Sequence, residues 1–82
     1  MRYYEFTDEE IIRFHSIISK NIKNIRKKKK ITQLELALAM GYKSVSTISK
    51  IEAGLENKHY NVAQLYKISK ILEVDICTFF IM

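Results

Sequence analysis

Residues 32 to 54 read TQLELALAMGYKSVSTISKIEAG. Thr32 suits a helix N-cap, because its hydroxyl can accept from a free amide of the first turn. Leu36, Ala37 and Met40 then recur at helical spacing. Gly41 can take the left-handed backbone that closes a helix. Tyr42 and Lys43 fill the turn. Ser44 reads as the cap of a second helix, residues 44–53, on which Val45, Ile48 and Ile51 share one face. Gly54 ends it. The stretch therefore predicts two short helices joined by a tight turn.

Upstream, Phe6-Thr7-Asp8-Glu9-Glu10-Ile11 carries the signs of a helix start. Thr7 and Glu10 have the spacing of a capping box, and Phe6 and Ile11 that of a hydrophobic staple. Asp8 and Glu9 complement the positive end of the helix dipole. Ile11, Phe14, Ile18, Ile22 and Ile25 follow as one stripe, which predicts a long first helix over about residues 8–29. A break between Ser16 and Asn21 is the alternative, since Ser and Asn are poorer helix formers. Lys27 to Lys30 close this helix, read either as a solvated end or as an attraction for phosphates. Downstream, 55–60 is a polar connection. Asn61 and Gln64 have capping-box spacing, and Val62, Leu65, Ile68, Ile71 and Leu72 predict the inward side of a fourth helix. Asp75 reads as the cap of a last short helix that includes Phe79 and Phe80.

Composition agrees with an all-α domain. The 82 residues contain no proline, two glycines and 48% hydrophobic residues, enough for one modest core and against disorder. The single cysteine, Cys77, suits a reducing cytoplasm. No apolar run reaches the length of a membrane span. The net charge is +5, unevenly spread. In residues 1–10, Arg2 stands against Glu5, Asp8, Glu9 and Glu10, a net −3 that leaves +8 on the rest. A basic body points to a polyanionic partner.

Two helices joined by a short glycine-containing turn make a helix-turn-helix, which presents its second helix to the DNA major groove. The chain resembles the Cro/C1-type (XRE-like) helix-turn-helix regulators of bacteria and phages. The resemblance is carried by Ile25-Arg26, Thr32-Gln33, Glu35-Leu36-Ala37, Gly41, Ser46 to Glu52, Gly54, Leu65, Ile68, Leu72-Glu73-Val74 and Phe79-Phe80. It implies a compact bundle of about five helices, the lambda-repressor-like DNA-binding fold. One domain over 1–82 is expected, with an extension at 1–15, the helix-turn-helix at 32–54 and C-terminal helices at 61–82. The sequence departs from the family pattern in a longer turn after Gly41, in apolar Leu34 and Leu38, and in the extension itself.

What the resemblance implies for binding can be placed residue by residue. Val45, Ser46 and Lys50 fall where base-contacting side chains commonly sit, and Ser44 and Thr47 are outward neighbours. Lys50 prefers guanine O6 and N7, the hydroxyls can serve several bases, and Val45 can touch a thymine methyl. Ordinary helix surface, or core packing for Val45, is the other reading. Gln33, Lys43, Asn57, Lys58 and His59 fall at phosphate-contacting positions. Arg26 and Glu52 match the family's structural ion pair, with Arg26 also turned to a phosphate; two separate surface charges are the alternative. No metal or other cofactor is implied, and no cluster of histidines, carboxylates or cysteine suggests an enzyme.

The expected function is sequence-specific binding of double-stranded DNA by a small cytoplasmic transcriptional regulator. It would act as a homodimer on an inverted repeat, through Ile76, Phe79, Phe80, Ile81 and Met82. Tyr3, Tyr4 and Phe6 would pack locally; either they or a partner chain would cover Leu34 and Leu38. The alternative is a protein-interaction module, or an antitoxin-type partner protein, that reuses the fold. A protein partner is thus a second expectation; a membrane is not.

Overall fold

The computed structural model describes residues 3–82. Four α-helices follow in order: α1 (Asp8–Lys28), α2 (Gln33–Ala39), α3 (Ser46–Ala53) and α4 (Val62–Leu72). Short 3₁₀ helices span Leu55–Asn57 and Ile76–Phe80. No strand occurs among the described residues. The expected fifth helix is therefore a 3₁₀ turn. Asp75 caps it by accepting from the Cys77 amide at 2.9 Å, and Thr78 turns its hydroxyl back to the Asp75 carbonyl.

Three of the four α-helix starts share one device. Thr7 with Glu10, Thr32 with Glu35 and Asn61 with Gln64 each form a reciprocal capping box. The ends of the same three helices share another. The amides of Ile31, Tyr42 and Val74 reach back five residues to the carbonyls of Arg26, Ala37 and Ser69, at 3.1, 2.9 and 3.0 Å. Each closure needs a left-handed residue in between. Gly41 supplies one at φ 91°, but Lys30 and Glu73 supply the others at 58° and 56°. The scarcity of glycine therefore hides two of the three stops from a reading of the sequence.

α1 is unbroken through Ser16–Asn21. Ser19 satisfies its hydroxyl on the His15 carbonyl, one turn back. Asn21 has a long-range role: its side-chain amide donates to the carbonyls of Phe79 and Ile81, at 3.0 and 2.8 Å. It thus fastens the C-terminal segment to the first helix.

The core joins Ile18 and Ile22 of α1 to Leu36, Ala37 and Met40, to Ile48 and Ile51, and to Tyr60, Leu65, Ile68, Leu72 and Phe79. Several expectations about apolar residues are corrected here. Val62 points out and is 79% exposed, because it opens α4 before the helix meets the core. Ile11 and Phe14 continue the apolar stripe of α1, yet both are exposed, since the helix runs on past the body that covers Ile18 and Ile22. Phe6 is 70% exposed. Tyr3, Tyr4, Leu34 and Leu38 are likewise exposed, so the aromatic extension does not cover the two leucines. Tyr4 instead stacks on Phe6, with ring centroids 6.3 Å apart.

Candidate nucleic-acid interface

A buried polar knot sets the position of α3. Glu52, near the end of that helix, accepts from both Arg26 and Gln33. Arg26 Nε meets Oε2 at 2.9 Å and Nη2 meets Oε1 at 2.8 Å, the two-pronged geometry that suits a guanidinium and a carboxylate. Gln33 Nε2 meets Oε1 at 2.9 Å. Arg26 Nη1 also donates to the Ile31 carbonyl in the turn between α1 and α2, at 2.7 Å. One carboxylate therefore ties α1, α2 and α3 together. The side chains of Arg26 and Glu52 are only 7% and 2% exposed. That burial corrects the expectation of a phosphate contact from Arg26: its charge is spent inside. Beside the knot, the Tyr60 hydroxyl is buried without a hydrogen-bond partner. Burial, reinforced by the Glu52 carboxylate, pushes its ionisation above the ordinary phenol range and keeps it neutral.

With Ile48 and Ile51 turned inward, α3 presents Ser46, Thr47, Ser49 and Lys50 on its other side. Ser46 is exposed and the other three are partly so. The helix begins at Ser46, and its cap falls one residue later than the sequence predicts. Ser44 lies in the turn, where its hydroxyl accepts from the Ser46 amide at 3.3 Å. Val45 takes the cap position, half-buried and without a side-chain acceptor. The longer connection after Gly41 absorbs the difference. Ser49, which the sequence reading passed over, stands beside Ser46 and donates to its carbonyl at 3.2 Å.

Past Gly54 the chain doubles back. Glu56 and Asn57 both adopt left-handed backbone, at φ 57° and 53°. This brings the Glu56 carboxylate within 3.5 Å of Lys50 Nζ and 4.0 Å of Lys58 Nζ. Glu56 lacks helical spacing to Lys50, so no sequence periodicity announces the contact. Lys43, Asn57, Lys58 and His59 are exposed, and Gln33 is half-buried with its amide engaged on Glu52.

The two histidines, read separately in the sequence, meet. The rings of His15 and His59 stack 3.6 Å apart and 12° from parallel. Burial first, and then the neighbouring His59, holds the His15 imidazole below its ordinary value near 6.5. The folded chain thus takes up this proton less readily than the unfolded chain. Stability from this source is present above about pH 6.5 and is lost as pH falls through and below it. Thermal midpoints recorded in half-unit steps from pH 7.5 to about pH 5 should fall on the acidic side, and His15→Gln should flatten that fall. A wild-type curve that stays flat to pH 5 would refute the assignment. Glu35 and Asp75 do not confuse the reading. Hydrogen bonds to the Thr32 and Cys77 amides hold these carboxyls below the usual range, so their losses come at lower pH.

A helix-turn-helix family model, HTH_3, matches residues 22–79. The chain belongs to this family. A crystal structure of an HTH_3 family transcriptional regulator from Vibrio cholerae aligns with a TM-score of 0.71 at 30% sequence identity. The alignment covers 84% of this chain and 37% of that one, so the chain spans little more than a third of the regulator's length. No curated protein matches the sequence. The HTH_3 match takes in the knot, α2, α3 and α4 but begins at Ile22, so residues 8–21 of α1 lie outside it.

Proposed function

We propose that this HTH_3 protein binds double-stranded DNA sequence-specifically, as a small transcriptional regulator of a bacterium or phage, with α3 in the major groove. The observation that carries the reading is the asymmetry of α3. Its inner side is fixed by Ile48, Ile51 and the Glu52 knot, while its outer side offers hydroxyls and one lysine with no core task. Ser46, Thr47 and Lys50 read base edges, and Ser44 and Val45 lie at the leading edge. Lys43, Asn57, Lys58 and His59 meet flanking phosphates, and Gln33 has a second amide hydrogen for the same use. The family is one of DNA-binding proteins rather than enzymes. No helix among the described residues is long and apolar enough to cross a membrane, and the cytoplasm is the natural place for this activity.

Lys50 must release Glu56 to reach a base. Both partners are substantially exposed, and such a surface pair holds by only about 0–1 kcal/mol. A good lysine-to-guanine contact is worth about 1–3 kcal/mol of discrimination, so the exchange favours the right sequence. A single short helix reads few base pairs, and a homodimer on an inverted repeat supplies the rest. Phe80, Ile81 and Met82, with the half-covered Ile76, belong to the surface that pairs.

Selection of bound duplexes from a random pool tests the reading, repeated with Lys50→Ala and Ser46→Ala. An enriched inverted repeat is expected, with different positions relaxed by each substitution. Salt-sensitive binding without any enriched sequence would overturn it, leaving only the attraction of a basic body for phosphates.

A further inference from the structure

A cleft of about 330 Å³ lies between α1, the end of α3 and the connection that follows it. Ile12, Ser16, Ser19 and Lys20 of α1 form one side. Ile51, Ala53 and Gly54, with Asn57 and Lys58, form the other. The stacked rings of His15 and His59 complete the wall. Apolar side chains with a few polar groups among them are what a small-molecule site needs, and the volume is at the lower end of the range of about 300–1,000 Å³ for such sites.

The charge around the cleft is one-sided. The carboxylate in its lining, Glu52, is neutralised by Arg26. Lys20 forms no ion pair among the described residues, and Lys58 shares the Glu56 carboxylate with Lys50. Positive charge is therefore left over on both sides. We infer that the cleft binds a small organic anion, one carboxylate or phosphate group carried on a single flat apolar ring. Lys20 and Lys58 take the charged group; both are exposed, and their flexible stems let the ammonium groups close over it. The ring lies against Ile12, Ala53 and the histidine pair. The Gly54 amide caps the Lys50 and Ile51 carbonyls, which weakens the repulsion that the carbonyl end of α3 exerts on an anion. Lys58 is also among the residues proposed above to meet a flanking phosphate, so the occupant and DNA draw on one charge. The anion site itself stands without the DNA reading.

Nuclear magnetic resonance on the full chain, titrated with phenyl phosphate and separately with benzoate, tests the inference in about 0.15 M salt and without DNA. Saturable shifts are expected with at least one of the two, at a dissociation constant of about 1 mM or below. They should centre on the imidazoles of His15 and His59 and on the amides of Ser16, Lys20 and Gly54. The tighter probe tells phosphate from carboxylate. Benzyl alcohol and inorganic phosphate each carry half of the proposed ligand and should bind at least about tenfold more weakly. Lys20→Ala should raise the dissociation constant at least about threefold. Ser16→Phe fills the cleft from an exposed position of α1 and should abolish the shifts, with helical circular dichroism unchanged. No saturable shift by about 10 mM of either probe would overturn the inference. So would shifts centred elsewhere, or binding indifferent to either substitution. Inorganic phosphate as tight as phenyl phosphate would overturn it too, as a bare ion on surface lysines. Because no DNA is present, failure here leaves the selection experiment above untouched.

Discussion

Glu52→Ala should lower the free energy of unfolding by about 3–5 kcal/mol, measured by chemical denaturation. The carboxylate is 2% exposed and accepts three hydrogen bonds, two from Arg26 and one from Gln33. Its removal strands a guanidinium that is itself buried and that cannot shed its charge at any accessible pH. The loss is large against the roughly 5–15 kcal/mol that holds a typical domain together. It should also loosen α3 specifically, because Glu52 is the point where α1 and α2 grip that helix. Replacing both charges, Arg26→Met with Glu52→Leu, should recover much of the stability, since no unpaired charge remains. A loss below about 1 kcal/mol for Glu52→Ala would place the pair with surface salt bridges and refute the knot.

Phe79→Ala should cost about 3–5 kcal/mol at any protein concentration, whereas Phe80→Ala should leave the isolated domain within about 1 kcal/mol of wild type. The adjacent phenylalanines look equivalent in the sequence, and both were expected at the dimer surface. The structure separates them. Phe79 is 0% exposed and is among the largest side chains of the core, so it is corrected out of the interface. Phe80 is 39% exposed and lines a shallow groove with Phe14 and Val62. Denaturation at two concentrations, well apart, distinguishes the effects: Phe79→Ala shifts both curves alike, and Phe80→Ala acts through association. Similar losses for the two variants in the dilute sample would contradict the separation.

The fold was legible wherever a local rule operates. Thr7, Asn61 and Asp75 announce their helices through capping, and Ile18, Ile22, Leu36, Ile48 and Ile68 announce the core through spacing. Local rules fail in three kinds of place. Stripe periodicity shows which side of a helix is apolar but not how far the covering body extends, hence the misplacing of Ile11, Phe14 and Val62. Lys30 and Glu73 take backbone conformations that glycine usually signals. Contacts between residues distant in sequence leave no local trace, as in Lys50 with Glu56, His15 with His59, and Asn21 with the carbonyls of Phe79 and Ile81. At the candidate interface, residue types and family spacing pointed to the outward side of α3. The true start of that helix depended on how a longer turn distributes its extra residue, and spacing alone does not settle that.

The bond from Asn21 to the far segment has a bearing on how the protein is made. Ribosomes add roughly 5–20 residues per second, so several seconds separate the emergence of Asn21 from that of Ile81. Throughout that interval Ile18 and Ile22 have left the tunnel without the Phe79 segment that helps to cover them. The helix that is synthesised first is therefore the last to be sealed. Nascent-chain solubility, more than the stability of the finished domain, is where substitutions near residue 80 should first be felt in the cell.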